Sequence, residues 1–146
     1  MKVLLATDGF EHALRACRFV VRLVAPERDE VRILTVLSYH EYPYSFVAGE
    51  HMAGEPQVVE RVREHVDQVT SDTRRILESA GVPVSVGSRF GNHGAEILTE
   101  MAEHAPDLVV LGRHSGREID QILGRVSEHV SRHAKVPVLL VPESAA

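Results

Sequence analysis

The 146-residue sequence has one cysteine, no tryptophan, few aromatic residues and no apolar run of the roughly 20 residues that a membrane helix needs. The single cysteine, Cys17, excludes an intramolecular disulfide and a zinc site built from cysteines. Basic residues are not in excess either. The net charge of −5 at pH 7 disfavours a nucleic-acid partner, because such surfaces depend on clustered lysine and arginine. We therefore predict a protein with neither a membrane nor a nucleic acid as partner.

The first ten residues, MKVLLATDGF, lack the features of a secretory leader. They contain one lysine and only a short apolar stretch before Asp8, without a small-residue cleavage site. We expect this stretch to form the first strand of the mature protein. A lone cysteine also fits the reducing conditions of the cytoplasm, which is the predicted location.

Apolar residues alternate along the chain between continuous runs and helical spacing, which predicts strands and helices in turn. Strands are predicted at 2–6, 31–37, 84–89, 108–111 and 138–141, and helices at 11–25, 56–80, 95–104 and about 123–134. This alternation indicates parallel strands joined by right-handed crossovers, and therefore an α/β three-layer sandwich in one domain over residues 1–146. The segment from Ser38 to Glu55 has no period and is expected to be a long surface loop.

In an open parallel sheet, the ligand crevice lies beyond the carboxyl ends of the strands. The segments to examine are therefore Thr7-Asp8-Gly9, after the first strand, and Gly112 to Arg125, after the fourth. The second segment contains three glycines and leads into a helix, whose N-terminal amide groups and dipole favour an anion. A plain glycine-containing connection with a solvated charged face explains the same pattern, and spacing leaves both interpretations open.

Other candidate sites in the sequence are weaker. Cys17 shares a helical face with Leu14 and Val21, which is typical of a buried apolar residue rather than a nucleophile. His129 and His133 are four residues apart and share a helix face, but no third metal ligand accompanies them. The nucleophile elbow of the serine hydrolases, Gly-x-Ser-x-Gly, does not occur.

Five segments together resemble the universal stress protein family: KVLLATDGFEHALRA, ILTV, GNHGAEIL, DLVVLGRHSGREIDQILGRVSEHV and KVPVLLVP. The resemblance covers essentially the whole chain. It implies a Rossmann-like, adenine nucleotide alpha hydrolase-like fold with a five-stranded parallel sheet in the order 3-2-1-4-5. It also implies a cytoplasmic homodimer formed by antiparallel pairing of the last strand, Val138 to Val141.

Many members of that family bind ATP through a pattern of Gly, two residues, Gly, nine residues, Gly, then Ser or Thr. In this sequence Gly112 supplies the first position, Ser115 occupies the second, and Gly116 follows one place later. Eight residues separate Ser115 from Gly124, so the loop is one residue short. Arg125 replaces the hydroxyl residue that should follow Gly124.

Arg125 has two opposite interpretations. Its long side chain would fill the phosphate site, or its guanidinium would bind a phosphate in bidentate fashion. Three other positions match the family better than the glycine loop does. They are Asp8, which would lie near the nucleotide, and Val36 and Val126, whose backbone would line the adenine site. Phe10 stands where a small serine is common.

The resemblance thus predicts a homodimeric stress-response regulator or protective factor with an altered or lost ATP-binding loop, acting without catalysis. The alternative is an ATP- or AMP-binding protein with slow hydrolysis, in which Arg125 replaces the usual hydroxyl. The predicted cofactor in either case is ATP or another adenine nucleotide, with Mg²⁺ only where a nucleotide binds.

Overall fold

The computed structural model describes residues 1–37, 56–113 and 118–142. These residues form five strands, β1 to β5, at Lys2–Ala6, Glu30–Leu37, Val84–Phe90, Leu108–Gly112 and Val138–Val141. Four helices, α1 to α4, occupy Glu11–Leu23, Pro56–Ser79, His93–His104 and Glu118–His133. The predicted order of strands and helices is confirmed, with ends that differ by a few residues. The predicted surface loop from Ser38 to Glu55 lies outside the described residues.

All strand pairs are parallel, and the sheet has the order β3-β2-β1-β4-β5. This confirms the predicted α/β class and strand order. The central strand β1 is buried on both faces because its successive side chains alternate across the sheet. Val3 and Leu5 face α1 and α2, whereas Leu4 faces α3 and α4. A hydrophobic core therefore lies on each face of the sheet, and the three layers are α1 with α2, the sheet, and α3 with α4.

The helices bury one face each. In α1 the buried residues Ala13, Ala16, Cys17 and Val20 recur at intervals of three or four and meet the sheet. Helix α3 begins at His93, before the predicted start at 95, because the Asn92 side chain accepts a hydrogen bond from the Ala95 amide at 3.1 Å. None of the helices in the described parts of the chain is long and apolar enough to cross a membrane.

A charged cluster is buried between the sheet and α3. The Glu100 side chain is only 3% exposed and lies between two guanidinium groups, Arg32 on β2 and Arg89 on β3. Arg89 Nε lies 2.9 Å from Glu100 Oε2, and Arg89 Nη2 also pairs with Glu103 at 2.6 Å. Gly87 makes room for the cluster, since a Cβ there would meet the Arg32 guanidinium and the Glu100 carboxylate. A buried carboxylate is tolerated here because opposite charges surround it.

We predict that Glu100→Gln lowers the free energy of unfolding by about 3 kcal/mol, since it leaves two partly buried guanidinium groups without their shared counter-charge. The matched control is Glu103→Gln, which also removes a partner of Arg89 but from a side chain that is 58% exposed. The control should change stability by less than about 1 kcal/mol. Urea unfolding followed by circular dichroism measures both. An equal decrease in the free energy of unfolding in the two variants would contradict the role assigned to Glu100.

Cys17 lies in the core between α1 and α2. Its side chain is fully buried, and its thiol donates to the Thr73 carbonyl oxygen at 3.5 Å. Burial raises the pKa of the thiol from 9.0 to about 12, because the thiolate would lose its hydration. The nucleophilic form is therefore negligible at neutral pH, and the interpretation of Cys17 as a packing residue is confirmed.

We predict that an aromatic disulfide reagent fails to label Cys17 in the native protein at neutral pH but labels it stoichiometrically in concentrated guanidinium chloride. Colour release from the reagent measures the labelling. A suitable control is Ser71→Cys in a Cys17→Ala background, because residue 71 is exposed on α2 and should be labelled in the native state. Native labelling of Cys17 as fast as that of residue 71 would show that the thiol is accessible.

Candidate functional site

A concavity lies at the carboxyl ends of β1, β2 and β4, where the sheet connections depart to opposite faces. Its floor is apolar and its rim carries a few polar side chains, a composition typical of ligand sites. The lining residues are Ala6, Thr7, Asp8, His12, Ala13, Leu34, Val36, His93, Ile97, Leu111, Gly112, Val126 and Ser127. Four of the predicted site residues, Asp8, Val36, Gly112 and Val126, therefore meet in one place.

The turn from β1 into α1 fixes Asp8 at this rim. Gly9 has a φ of +84° and approaches α2 so closely that a Cβ would stand 3.0 Å from the Val69 carbonyl oxygen. The Gly9 amide donates to Thr7 Oγ1 at 3.1 Å, and the Phe10 amide donates to Asp8 Oδ1 at 2.9 Å. Only glycine combines this backbone conformation with this close packing. The carboxylate of Asp8 is consequently held by the main chain of the turn.

His12, in the first turn of α1, contacts the other carboxylate oxygen of Asp8. The distance from His12 Nε2 to Asp8 Oδ2 is 2.8 Å, and the histidine side chain is 6% exposed against 24% for the aspartate. Sequence reasoning missed His12. The available signal was its position four residues after Asp8, because such residues are neighbours at a helix start.

Gly112 ends β4 directly beneath the start of α1. A Cβ at this position would lie 2.5 Å from the His12 carbonyl oxygen, so any side chain would push α1 away from the sheet. The following amide, of Arg113, donates to the Val141 carbonyl oxygen at 2.8 Å and keeps the chain in line with β5. The predicted glycine is thus required by helix packing at the site.

The middle of α4 contributes Val126 and Ser127 to the concavity. Val126 is half-buried, and the Ser127 side chain is only 6% exposed. Sequence reasoning looked for a hydroxyl directly after Gly124 and therefore missed Ser127, three residues after that glycine. The sequence did contain a signal for Ser127. It lies three residues before the buried Val130, so the two side chains are on the same face of the predicted helix.

The four remaining predicted site residues come from the family's nucleotide-binding pattern after β4. Ser115 and Gly116 lie outside the described residues. Gly124 falls within α4, and the Arg125 side chain is exposed and does not line the concavity. The phosphate roles of these four residues stay predictions.

Metal binding has weak support among the described residues. The His133 ring uses Nδ1 for a contact of 2.9 Å with the His129 carbonyl oxygen, which explains this pair as helix-surface histidines. Glu100, Glu103 and His104 have spacing suited to a cation. Both carboxylates are, however, already ion-paired with Arg89.

A second depression lies at the amino ends of β1, β2 and β3 and is lined in part by Lys2, Arg32 and His104. The Arg32 guanidinium there is ion-paired with the buried Glu100. A ligand would therefore meet a neutralised charge. The carboxyl-end concavity, with Asp8 and two histidines on its rim, is the better candidate.

Solved structures with the same fold were found for proteins of several sources. A hypothetical protein studied as a test case of structural genomics aligns with a TM-score of 0.77 and 23% identity, over 99% of this chain and 97% of that chain. A universal stress protein family protein from Arabidopsis thaliana, solved with AMP bound, aligns with a TM-score of 0.69 and 17% identity, over 99% and 93%. A universal stress protein in complex with cAMP aligns with a TM-score of 0.65 and 18% identity, over 99% and 98%.

A search of curated proteins found no significant match. The family profile, in contrast, covers almost the entire sequence: the universal stress protein family matches residues 1–142. The parallel sheet in the order 3-2-1-4-5 agrees with this match. This chain belongs to the universal stress protein family.

Proposed function

We propose that this protein is a cytoplasmic stress-response regulator that binds an adenine nucleotide at the carboxyl-end concavity. The observation that carries the proposal is the meeting of Asp8, Val36, Gly112 and Val126 around one apolar depression. An apolar floor suits a planar base, and a polar rim suits the ribose. Two proteins of similar fold were solved with AMP or cAMP, which is consistent with a nucleotide of this class.

The two halves of the site differ in how well they match the family pattern. The half expected to contact base and ribose retains Asp8, Val36 and Val126. The half expected to contact phosphates is altered, because the loop is one residue short and Arg125 replaces a hydroxyl. We infer that adenosine monophosphate or a similar small adenine nucleotide is preferred and that ATP gains little from its additional phosphates.

A binding role is favoured over catalysis by the state of Asp8. Both of its oxygens already accept protein hydrogen bonds, from the Phe10 amide and from His12. These contacts fix the orientation of the carboxylate and leave its remaining lone pairs free to accept from a ligand. Asp8 is better suited to orienting a ligand, and the nucleotide would act as a signal.

We predict that AMP raises the melting temperature of the protein and that ATP with magnesium binds no more tightly than AMP, because the phosphate half is altered. Thermal shift and calorimetry with AMP, cAMP, ADP and ATP measure this. Arg125→Ser, which restores the family hydroxyl, should increase ATP affinity and leave AMP affinity unchanged. The control is Arg132→Ser, which removes another exposed arginine of α4.

The absence of any shift with millimolar nucleotide would refute the proposed ligand. ATP binding at least tenfold tighter than AMP binding would refute the inferred preference. If ATP is bound and slowly converted to ADP, and Arg125→Ala abolishes this, the alternative of a slow ATPase replaces the regulator.

We further propose that the protein is a homodimer formed through β5, as expected from the resemblance. β5 is an edge strand with an apolar, largely half-buried sequence, VLLV. The carbonyl oxygens of Pro137 and Val141 accept hydrogen bonds from β4, so the N–H and C=O groups of Val138 and Leu140 point away from the sheet. Pairing with a second copy would satisfy these groups and cover an edge that is otherwise prone to aggregation.

We predict that Leu140→Pro converts the dimer to a monomer, because proline lacks the outward N–H that would bond to the partner. Leu140→Ala is the matched control, since it trims the same side chain but keeps the amide, and it should remain dimeric. Sedimentation velocity measures the mass of each variant, with circular dichroism to verify folding. A monomeric wild type, or a Leu140→Pro variant that dimerises normally, would rule out pairing through β5.

A further inference from the structure

His12 links the two strand ends that form the candidate site. Its main-chain carbonyl packs against Gly112 at the end of β4, so closely that a Cβ on the glycine would be 2.5 Å away. Its imidazole contacts Asp8 Oδ2, just after the end of β1, at 2.8 Å. The ring is buried, whereas Asp8 is partly exposed on the rim. One residue therefore sets the relative positions of both.

We propose that His12 is a positioning residue of the ligand site: it holds the Asp8 carboxylate in one orientation, so that Asp8 accepts hydrogen bonds from donor groups of the ligand. This inference rests on the proposed function, because the ligand concerned is an adenine nucleotide. It adds a residue that acts through Asp8 without contacting the nucleotide itself.

The hydrogen-bond capacity of Asp8 supports this role. A carboxylate accepts at two oxygens with about four lone-pair directions in total. One direction on Oδ1 is occupied by the Phe10 amide and one on Oδ2 by His12. Because an ionised carboxylate only accepts, His12 Nε2 must carry the hydrogen in this contact. Because Asp8 lines the concavity and is partly exposed, the directions that remain are available to a hydrogen-bond donor of a ligand.

The burial of His12 makes it effective for this purpose. An exposed aspartate at the end of a strand samples several rotamers, and a ligand would have to select one of them. The first turn of α1 is packed against Gly112 and the imidazole is buried, so the donor is fixed before a ligand arrives. A charge-assisted contact of this length is among the stronger hydrogen bonds in proteins. The site is thereby preorganised.

Two groups of an adenine nucleotide offer the required donor: the ribose hydroxyls and the 6-amino group of the base. Binding of AMP, 2′-deoxy-AMP, 3′-deoxy-AMP and IMP distinguishes them. Weaker binding of either deoxy ligand than of AMP identifies a ribose hydroxyl as the donor. Weaker binding of IMP, which has an oxygen in place of the amino group, identifies the base as the donor. Equal binding of all four ligands would overturn the inference that Asp8 accepts from the ligand.

The first test of His12 needs no ligand. In ¹⁵N spectra of the imidazole of the unliganded protein, Nε2 should have the chemical shift of a protonated nitrogen in the wild type. Asp8→Ala, which removes the acceptor, should allow the imidazole to exchange between tautomers. If the Nε2 signal is the same in both proteins, His12 does not depend on Asp8 and the inference falls, whether or not AMP binds.

The second test is a double-mutant cycle on AMP affinity measured by calorimetry. His12→Leu should weaken AMP binding about tenfold, and His12→Gln, which can still donate to Asp8, should remain within about threefold of the wild type. In an Asp8→Ala background, which lacks the acceptor, His12→Leu should have no further effect. His133→Gln, a histidine change on the exposed face of α4, is the control and should bind AMP normally.

The outcomes separate the inference from the function on which it rests. If the wild type binds no adenine nucleotide, the proposed function fails, and the ¹⁵N result still decides the contact between His12 and Asp8. If the wild type binds AMP and His12→Leu weakens binding equally in both backgrounds, His12 is merely structural. Should His12→Leu fail to fold, His12→Asn, whose amide is too short to reach Oδ2, replaces it in the cycle.

Discussion

Parallel pairing of β1 with β4 is the constraint on which the rest of the structure depends. The register Val3 to Leu108 and Leu5 to Val110 brings the ends of both strands to the same edge of the sheet. Residues 8 and 112 are far apart in sequence, yet they become neighbours because parallel strands end on the same side. The first turn of α1 then fits above this edge only because residue 112 is a glycine. A side chain there would separate the helix from the sheet and open the site.

Two carboxylates in this protein, Glu100 and Asp8, are held by hydrogen-bond donors in different surroundings. Glu100 is almost completely buried and is shared by Arg32 and Arg89, so its charge contributes to stability and is inaccessible to a ligand. Asp8 is held by a main-chain amide and by His12, but it remains partly exposed on the rim of a concavity. The same physical requirement, a partner for each charge removed from water, therefore accounts for a structural ion pair in one place and for the proposed ligand contact in the other.

The candidate site combines residues that match the family pattern with positions that depart from it. The apolar floor is formed by strand ends and by α3 and α4, whose residues also belong to the core and cannot change without a loss of packing. The sequence after β4, in contrast, departs from the family pattern at Ser115 and Arg125. In the proposed function, the base and the phosphates would contact parts of the protein that differ in how closely they match the family, which is the reason for the preference proposed above.

The sequence by itself determined the strands, the helices, their alternation and the packing role of Cys17, because each follows from local hydrophobic period and from glycine, proline and asparagine at the ends of elements. It also indicated Asp8, Val36, Gly112 and Val126, through their resemblance to a family pattern. Only the tertiary structure revealed His12 and Ser127, whose side chains are unremarkable in the sequence and become part of the site when helix packing turns them toward it. The Arg32–Glu100–Arg89 cluster arises in the same way. Its members come from three separate elements, and no local pattern encodes a contact that depends on which faces of the sheet and helix meet.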